Sequence, residues 1–108
     1  MAGWRVLLKE SVIEDLQTLG TKPSRAVLKE ATKRLEADPL AETLNMKTLR
    51  PNPIAQRERR LFGKYRALFN IDRSQQRVTI VLVGEKRGDA LIVQGRRFTA
   101  HHESDPAE

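Results

Sequence analysis

Along this chain, apolar residues recur first at helical spacing and then at strand spacing. Trp4 to Lys9 is a short apolar run and reads as a first strand. Ser11 then opens a helix, with Glu14 three residues on completing a capping box. Val12, Leu16 and Leu19 share one face of that helix, Ile13 lies beside them, and Gly20 stops it. Pro23 suits the first turn of a second helix, where its missing N–H costs nothing. Val27, Leu28, Ala31 and Leu35 give this helix one buried stripe, and Asp38-Pro39 ends it. Residues 39–55 lack a period; Met46 to Leu49 is the stretch able to anchor them, and Pro51-Asn-Pro53 forces a turn.

From Arg57 the pattern becomes strand-like. Four runs, Arg57 to Phe62, Tyr65 to Ile71, Arg77 to Val83 and Ala90 to Gln94, are separated by Gly63-Lys64, Asp72 to Gln76 and Glu85 to Asp89. Separations this short favour antiparallel hairpins. Val78 to Val83 is apolar on both faces, as a central strand should be. The predicted order is β-α-α-β-β-β-β: an α+β domain whose two-helix hairpin packs on a twisted, mostly antiparallel sheet. Residues 1–100 form the single domain, and 101–108 form a polar, acidic tail.

Composition narrows the chemistry. A chain of 108 residues with 39% hydrophobic content supports one modest core. With no cysteine, disulfides, thiolate nucleophiles and cysteine-ligated metal sites are excluded. This usage fits a reducing cytoplasm, and the chain shows neither a membrane-spanning run nor a signal peptide. There is no Gly-rich phosphate loop and no dinucleotide fingerprint. The net charge of +6 is uneven: residues 47–97 hold thirteen Lys/Arg against four acids, and ten of the thirteen are arginine, the better residue for bidentate phosphate contacts. A polyanionic partner is one reading, a solubilising surface the other.

Arg57-Glu-Arg-Arg-Leu-Phe-Gly-Lys-Tyr-Arg66 is the richest segment. In a strand Arg57 and Arg59 share a face and Arg60 points away; a tight turn at Gly63 is expected to return Arg66 beside the first two. Such a face suits a phosphodiester gaining charge on its non-bridging oxygens; alternatively two arginines splay into water and the third pairs with Glu58. Val83-Gly-Glu-Lys-Arg-Gly88 reads as a basic loop, with Lys86 and Arg87 at its tip, or simply as a solvated turn. Arg60 and Lys64 extend the basic surface, as do Lys47 and Arg50 unless these two simply flank a buried Leu49. His101 and His102 are candidate acid–base groups or ordinary surface residues. No metal-ligand spacing occurs.

These pieces together resemble the RelE/ParE superfamily of bacterial type II toxin–antitoxin systems over roughly residues 4–95. The resemblance rests on the element order, on Asp38-Pro39, on Lys47-Thr-Leu49, on Gly63-Lys-Tyr-Arg-Ala-Leu-Phe-Asn-Ile-Asp72 and on Val83-Gly-Glu-Lys-Arg87. It implies a RelE-like, microbial-ribonuclease-type fold and a cytoplasmic endoribonuclease that cuts mRNA in the ribosomal A site. It further implies no cofactor or metal, attack by the substrate's own 2′-OH, and silencing by a cognate antitoxin protein. Arg57 and Arg59 fall where the family has two basic strand residues, Arg66 on its hairpin arginine, and Arg87, or Lys86 one residue earlier, on its post-strand arginine. Relatives often carry lysines at the first two places. Arginine stays charged, so electrostatic activation suits Arg57 better than proton abstraction. The family's later tyrosine is replaced by Val93, and His101 or His102 can substitute as acid or base. The same fold hosts ParE-like gyrase poisons and non-catalytic RNA or antitoxin binders, and fold alone does not choose between them.

Overall fold

The computed structural model describes residues 3–98. Strand β1 (Arg5–Leu8) is followed by α1 (Val12–Leu19) and α2 (Thr21–Ala37), with only Gly20, at φ +99°, between the helices. Then come β2 (Met46–Thr48), β3 (Arg57–Leu61), β4 (Tyr65–Asp72), β5 (Arg77–Arg87), β6 (Ala90–Val93) and β7 (Arg96–Phe98). The sheet runs β2-β3-β4-β5-β6-β7 with antiparallel neighbours, and β1 pairs β5 in parallel. The α+β class and the helices-on-sheet arrangement expected from the pattern are both present.

Four local expectations are corrected. Ser11 has helical dihedrals and makes no side-chain capping bond, because the backbone turns into α1 through the Val12 N–H donating to the Lys9 carbonyl. Met46–Thr48 is an edge strand within the stretch expected to be aperiodic, and it does anchor that segment, with Met46 in the core; three residues are too few for a period to show. The expected loop at 84–88 is strand: β5 continues to Arg87, and Gly88 (φ +62°) and Asp89 alone make the turn to β6. Gln94 and Gly95, both at positive φ, make a further tight turn into β7, which the sequence pattern missed.

The core lies between the helices and the sheet. Val12, Leu16, Val27, Ala31 and Leu35 from the helices meet Leu61, Phe69, Val78 and Ile80 from the strands. This is the helical period of one layer matching the alternate residues of the other. A smaller cluster of Ala55, Leu68 and Leu82 covers part of the opposite face, packed by Leu91, Val93 and Phe98. Gly84 lets β6 approach closely: a Cβ there would meet the Ile92 carbonyl oxygen at 2.6 Å.

Strand β5 changes neighbour along one edge, pairing β1 through Ile80 and β6 from Glu85. The amide of Val83 lies in the gap. Asp15, buried on α1, accepts its N–H at 3.0 Å and takes a second hydrogen bond from the Gln94 side chain at 2.6 Å. A buried amide that the ladder leaves unpaired is thus satisfied from the helix layer.

Candidate functional site

The register of the β3–β4 hairpin decides which basic residues meet. Leu61 pairs Tyr65 across a three-residue loop, Phe62-Gly63-Lys64, in which Phe62 and Gly63 both adopt positive φ. A two-residue turn at Gly63-Lys64 would place Arg66 with Arg59. One more residue in the loop moves it to the other face. Arg66 therefore opposes Arg60, and Arg59 opposes Ala67. The expectation that Arg57, Arg59 and Arg66 share a face is overturned.

Arg57 and Arg59 instead face the helices. Arg57 is buried, and its guanidinium donates to the Pro39 carbonyl at 2.6 Å and the Ala41 carbonyl at 2.9 Å, with exposed Glu42 at 3.4 Å. It ties the post-helix segment to the sheet, its guanidinium engaged by those two backbone carbonyls. Arg59 lies near Arg34 and Glu30 of α2; burial, reinforced by repulsion from Arg34, lowers its pKa from the usual guanidinium range.

On the opposite face stands a different cluster. Glu58 projects between Arg66 (Oε2 to Nε, 3.5 Å) and Arg60 (3.8 Å). Lys47 of β2 lies directly across from Glu58. Gly84 opposes Arg66, so Lys86, two residues on, emerges on the same face, and Arg96 enters it opposite Val93. The Arg66 side chain is only 10% exposed and that of Glu58 15%, whereas Arg60 is 42% exposed and open to a ligand. Burial lowers the Arg66 pKa first; Glu58 opposes that shift and Arg60 adds to it. A strip of cations around one half-buried carboxylate can bind a phosphate and hold a proton acceptor beside it.

The remaining sequence candidates separate. Arg87 is on the other face, bound to Glu85 at 3.2 Å, so Lys86 rather than Arg87 accompanies Arg66. Lys64 reaches the same Glu85 at 3.3 Å, with its amine 5.4 Å from the Tyr65 ring centre. Burial alone would raise the Glu85 pKa, but hydrogen bonds from Arg87 and Lys64 outweigh it and hold the carboxyl below its usual range. Arg50 is exposed in the loop after β2, beyond the Arg57 end of β3 and away from Arg60 and Arg66. His101 and His102 lie outside the described residues. Among those residues, no group of three or more His, Asp or Glu is placed to hold a metal ion.

Sequence reasoning passed over Glu58 as a site residue, and Arg96 as well. Glu58 had a signal, its alternation with Arg60, which the assumed turn length hid.

The architecture has solved counterparts. A chain of the toxin–antitoxin complex RelBE2 from Mycobacterium tuberculosis is 28% identical, with a TM-score of 0.68, over 80% of this chain and 94% of that one. A chain of the archaeal RelE–RelB complex from Pyrococcus horikoshii is 24% identical, with a TM-score of 0.62, over 82% and 99% respectively, a likeness of fold. No family model and no curated protein matches the chain. The fold, a helix pair on a largely antiparallel sheet, is shared with these chains, and in that sense the chain is RelE-like.

Proposed function

We propose that the protein is the toxin of a toxin–antitoxin pair and acts as a metal-independent endoribonuclease on mRNA at the ribosome. The observation that carries this reading is the Glu58–Arg60–Arg66 cluster, flanked by Lys47, Lys86 and Arg96 on the sheet face that the helices leave uncovered. Glu58 accepts the proton of a substrate 2′-OH as that oxygen bonds to the adjacent phosphorus. Arg66, stiffened by its burial and by its hydrogen bond to the Tyr65 carbonyl at 3.0 Å, meets the charge growing on the non-bridging oxygens. Arg60 assists from the solvent side, while Lys47 and Lys86 hold flanking phosphates. The bond to the 5′-oxygen breaks, leaving a 2′,3′-cyclic phosphate, and the 5′-oxygen takes up a proton from His101 or His102. A cognate antitoxin silences the protein.

The test is 5′-end mapping of an mRNA in a reconstituted bacterial translation reaction, with and without the protein. Cuts that need ribosomes and fall in frame within codons are the expected result. Cuts on naked RNA would keep the nuclease and remove the ribosome. Intact mRNA would overturn catalysis, and a gyrase supercoiling assay would then separate a poison from a binder.

A further inference from the structure

Asp15, at 3% exposed, is the most buried charged residue among the described residues, and the proposed chemistry does not use it. Its two hydrogen bonds meet at one place in the sheet. Strands β5 and β6 are antiparallel with Glu85 opposite Ile92, a register that sets Gly84 opposite Val93 and Val83 opposite Gln94. The ladder itself stops at Glu85 and Ile92. Beyond it the Asp15 carboxylate bridges the two chains: Oδ2 accepts the Val83 N–H at 3.0 Å, and Oδ1 accepts the Gln94 side-chain amide at 2.6 Å.

Those two residues bracket the middle of a row that crosses the basic face. Arg60 opposes Arg66, Arg66 opposes Gly84, Gly84 touches Val93, and Val93 opposes Arg96. Gly84 and Val93 add no polar side-chain atom to the row. At about 4.8 Å per strand, the backbones of Arg66 and Arg96 stand roughly 14 Å apart, far enough to meet different phosphates of one RNA strand. Arg96 depends on its turn for its aim. Strand β7 has three residues and pairs only with β6 among the described residues. The turn between them needs Gln94 at φ +53°, a region that residues other than glycine rarely enter. The bond to Asp15 holds Gln94 there.

We propose that Asp15 is a positioning residue: acting through Gln94, it fixes the turn that aims Arg96 at an RNA phosphate distinct from the one Arg66 faces. Asp15 itself touches no RNA. A carboxylate of helix α1 thus braces a contact on the far face of the sheet. The proposal rests on the reading of that face as an RNA site and deepens it.

The experiment measures binding of a 2′-O-methyl uridine oligonucleotide, whose blocked 2′-oxygen cannot attack, to the full chain across a range of salt. Arg96→Gln should weaken binding roughly fivefold at 0.1 M salt and lower the slope of log K against log salt by about 0.7, the loss of one phosphate contact. Gln94→Met keeps the side chain's length and removes its amide, so it should do the same. The two together should lose no more than either alone. Gln94→Glu should also weaken binding, by setting a second carboxylate against Asp15; adding Asp15→Asn supplies an amide donor and should restore it. Gln94 is exposed, so its variants carry the test even where Asp15→Ala, which strands the Val83 amide, unfolds. Unaltered affinity and slope in Gln94→Met, additive losses in the pair, or no rescue by Asp15→Asn would overturn the proposal, as would absence of binding by the unaltered chain. The mRNA mapping reads cleavage separately, so the nuclease can fail while the role of Asp15 stands, and the reverse.

Discussion

Four arginines within ten residues do three different jobs, and exposure and partners separate them. Arg66 is enclosed and aimed at the open face, so Arg66→Ala should lower the cleavage rate by roughly 10²- to 10³-fold in single-turnover assays, read per folded molecule because its loss also strips half-buried Glu58 of a partner. Arg57 predicts the reverse. Its removal strands the Pro39 and Ala41 carbonyls, so Arg57→Ala should cost roughly 3 kcal/mol in denaturant unfolding and leave cleavage by the folded fraction intact. Equal loss of rate in Arg57→Ala and Arg66→Ala, at matched folded fraction, would contradict this division. Glu58→Gln keeps the shape and removes the proton acceptor, so most of the activity should be lost in the same single-turnover assay. Arg59 belongs to neither job and is left to the helix face.

At the scale of elements, the helices, the central strand and most hairpins were legible because each spans enough residues for a period to emerge. Val27 to Leu35 shows its stripe plainly, as does the doubly apolar Val78 to Val83. The three-residue strands at Met46 and Arg96 carry less than two full alternations and left no trace. The face assignment of the arginines failed for a single cause: whether Phe62 belongs to the strand or to the loop. Residue types at Phe62-Gly63-Lys64 do not decide it, and parity does the rest. The strand ends also have an electrostatic prediction. Glu85 is held below its usual range by Arg87 and Lys64 at the tip of β5, and Asp72 by the Ser74 hydroxyl, the Gln75 amide and Arg77 at the other end. A depressed folded-state pKa gives stability that is present above the unfolded carboxyl pKa and is lost as pH falls through the folded value. Thermal melts taken from pH 6 down to about pH 3 should therefore show a falling melting temperature. Glu85→Gln should flatten that fall; an unchanged slope would remove Glu85 from it.

Across the whole molecule, one face of the sheet is roofed by helices and the other is left for charge, which is why fold class was readable before the site was. Asp15 ties the two sides together by reaching from α1 through the sheet edge to Val83 and Gln94. The parallel pairing of β1 with β5 joins Arg5 to Arg77, so the amino-terminal third finds its sheet only in a strand made much later. For a chain emerging from a ribosome, this sets an order of events. Helix α1 packs on the sheet chiefly through β5, so Val12 and Leu16 lack most of their partners until residues 77–87 arrive, and Arg96 completes the basic strip later still. A fragment ending at residue 76 should accordingly be cleaved by protease at the rate of an unfolded chain, whereas the full chain resists. A protein acting as proposed above would thus be harmless to the ribosome that is making it until its synthesis is nearly finished.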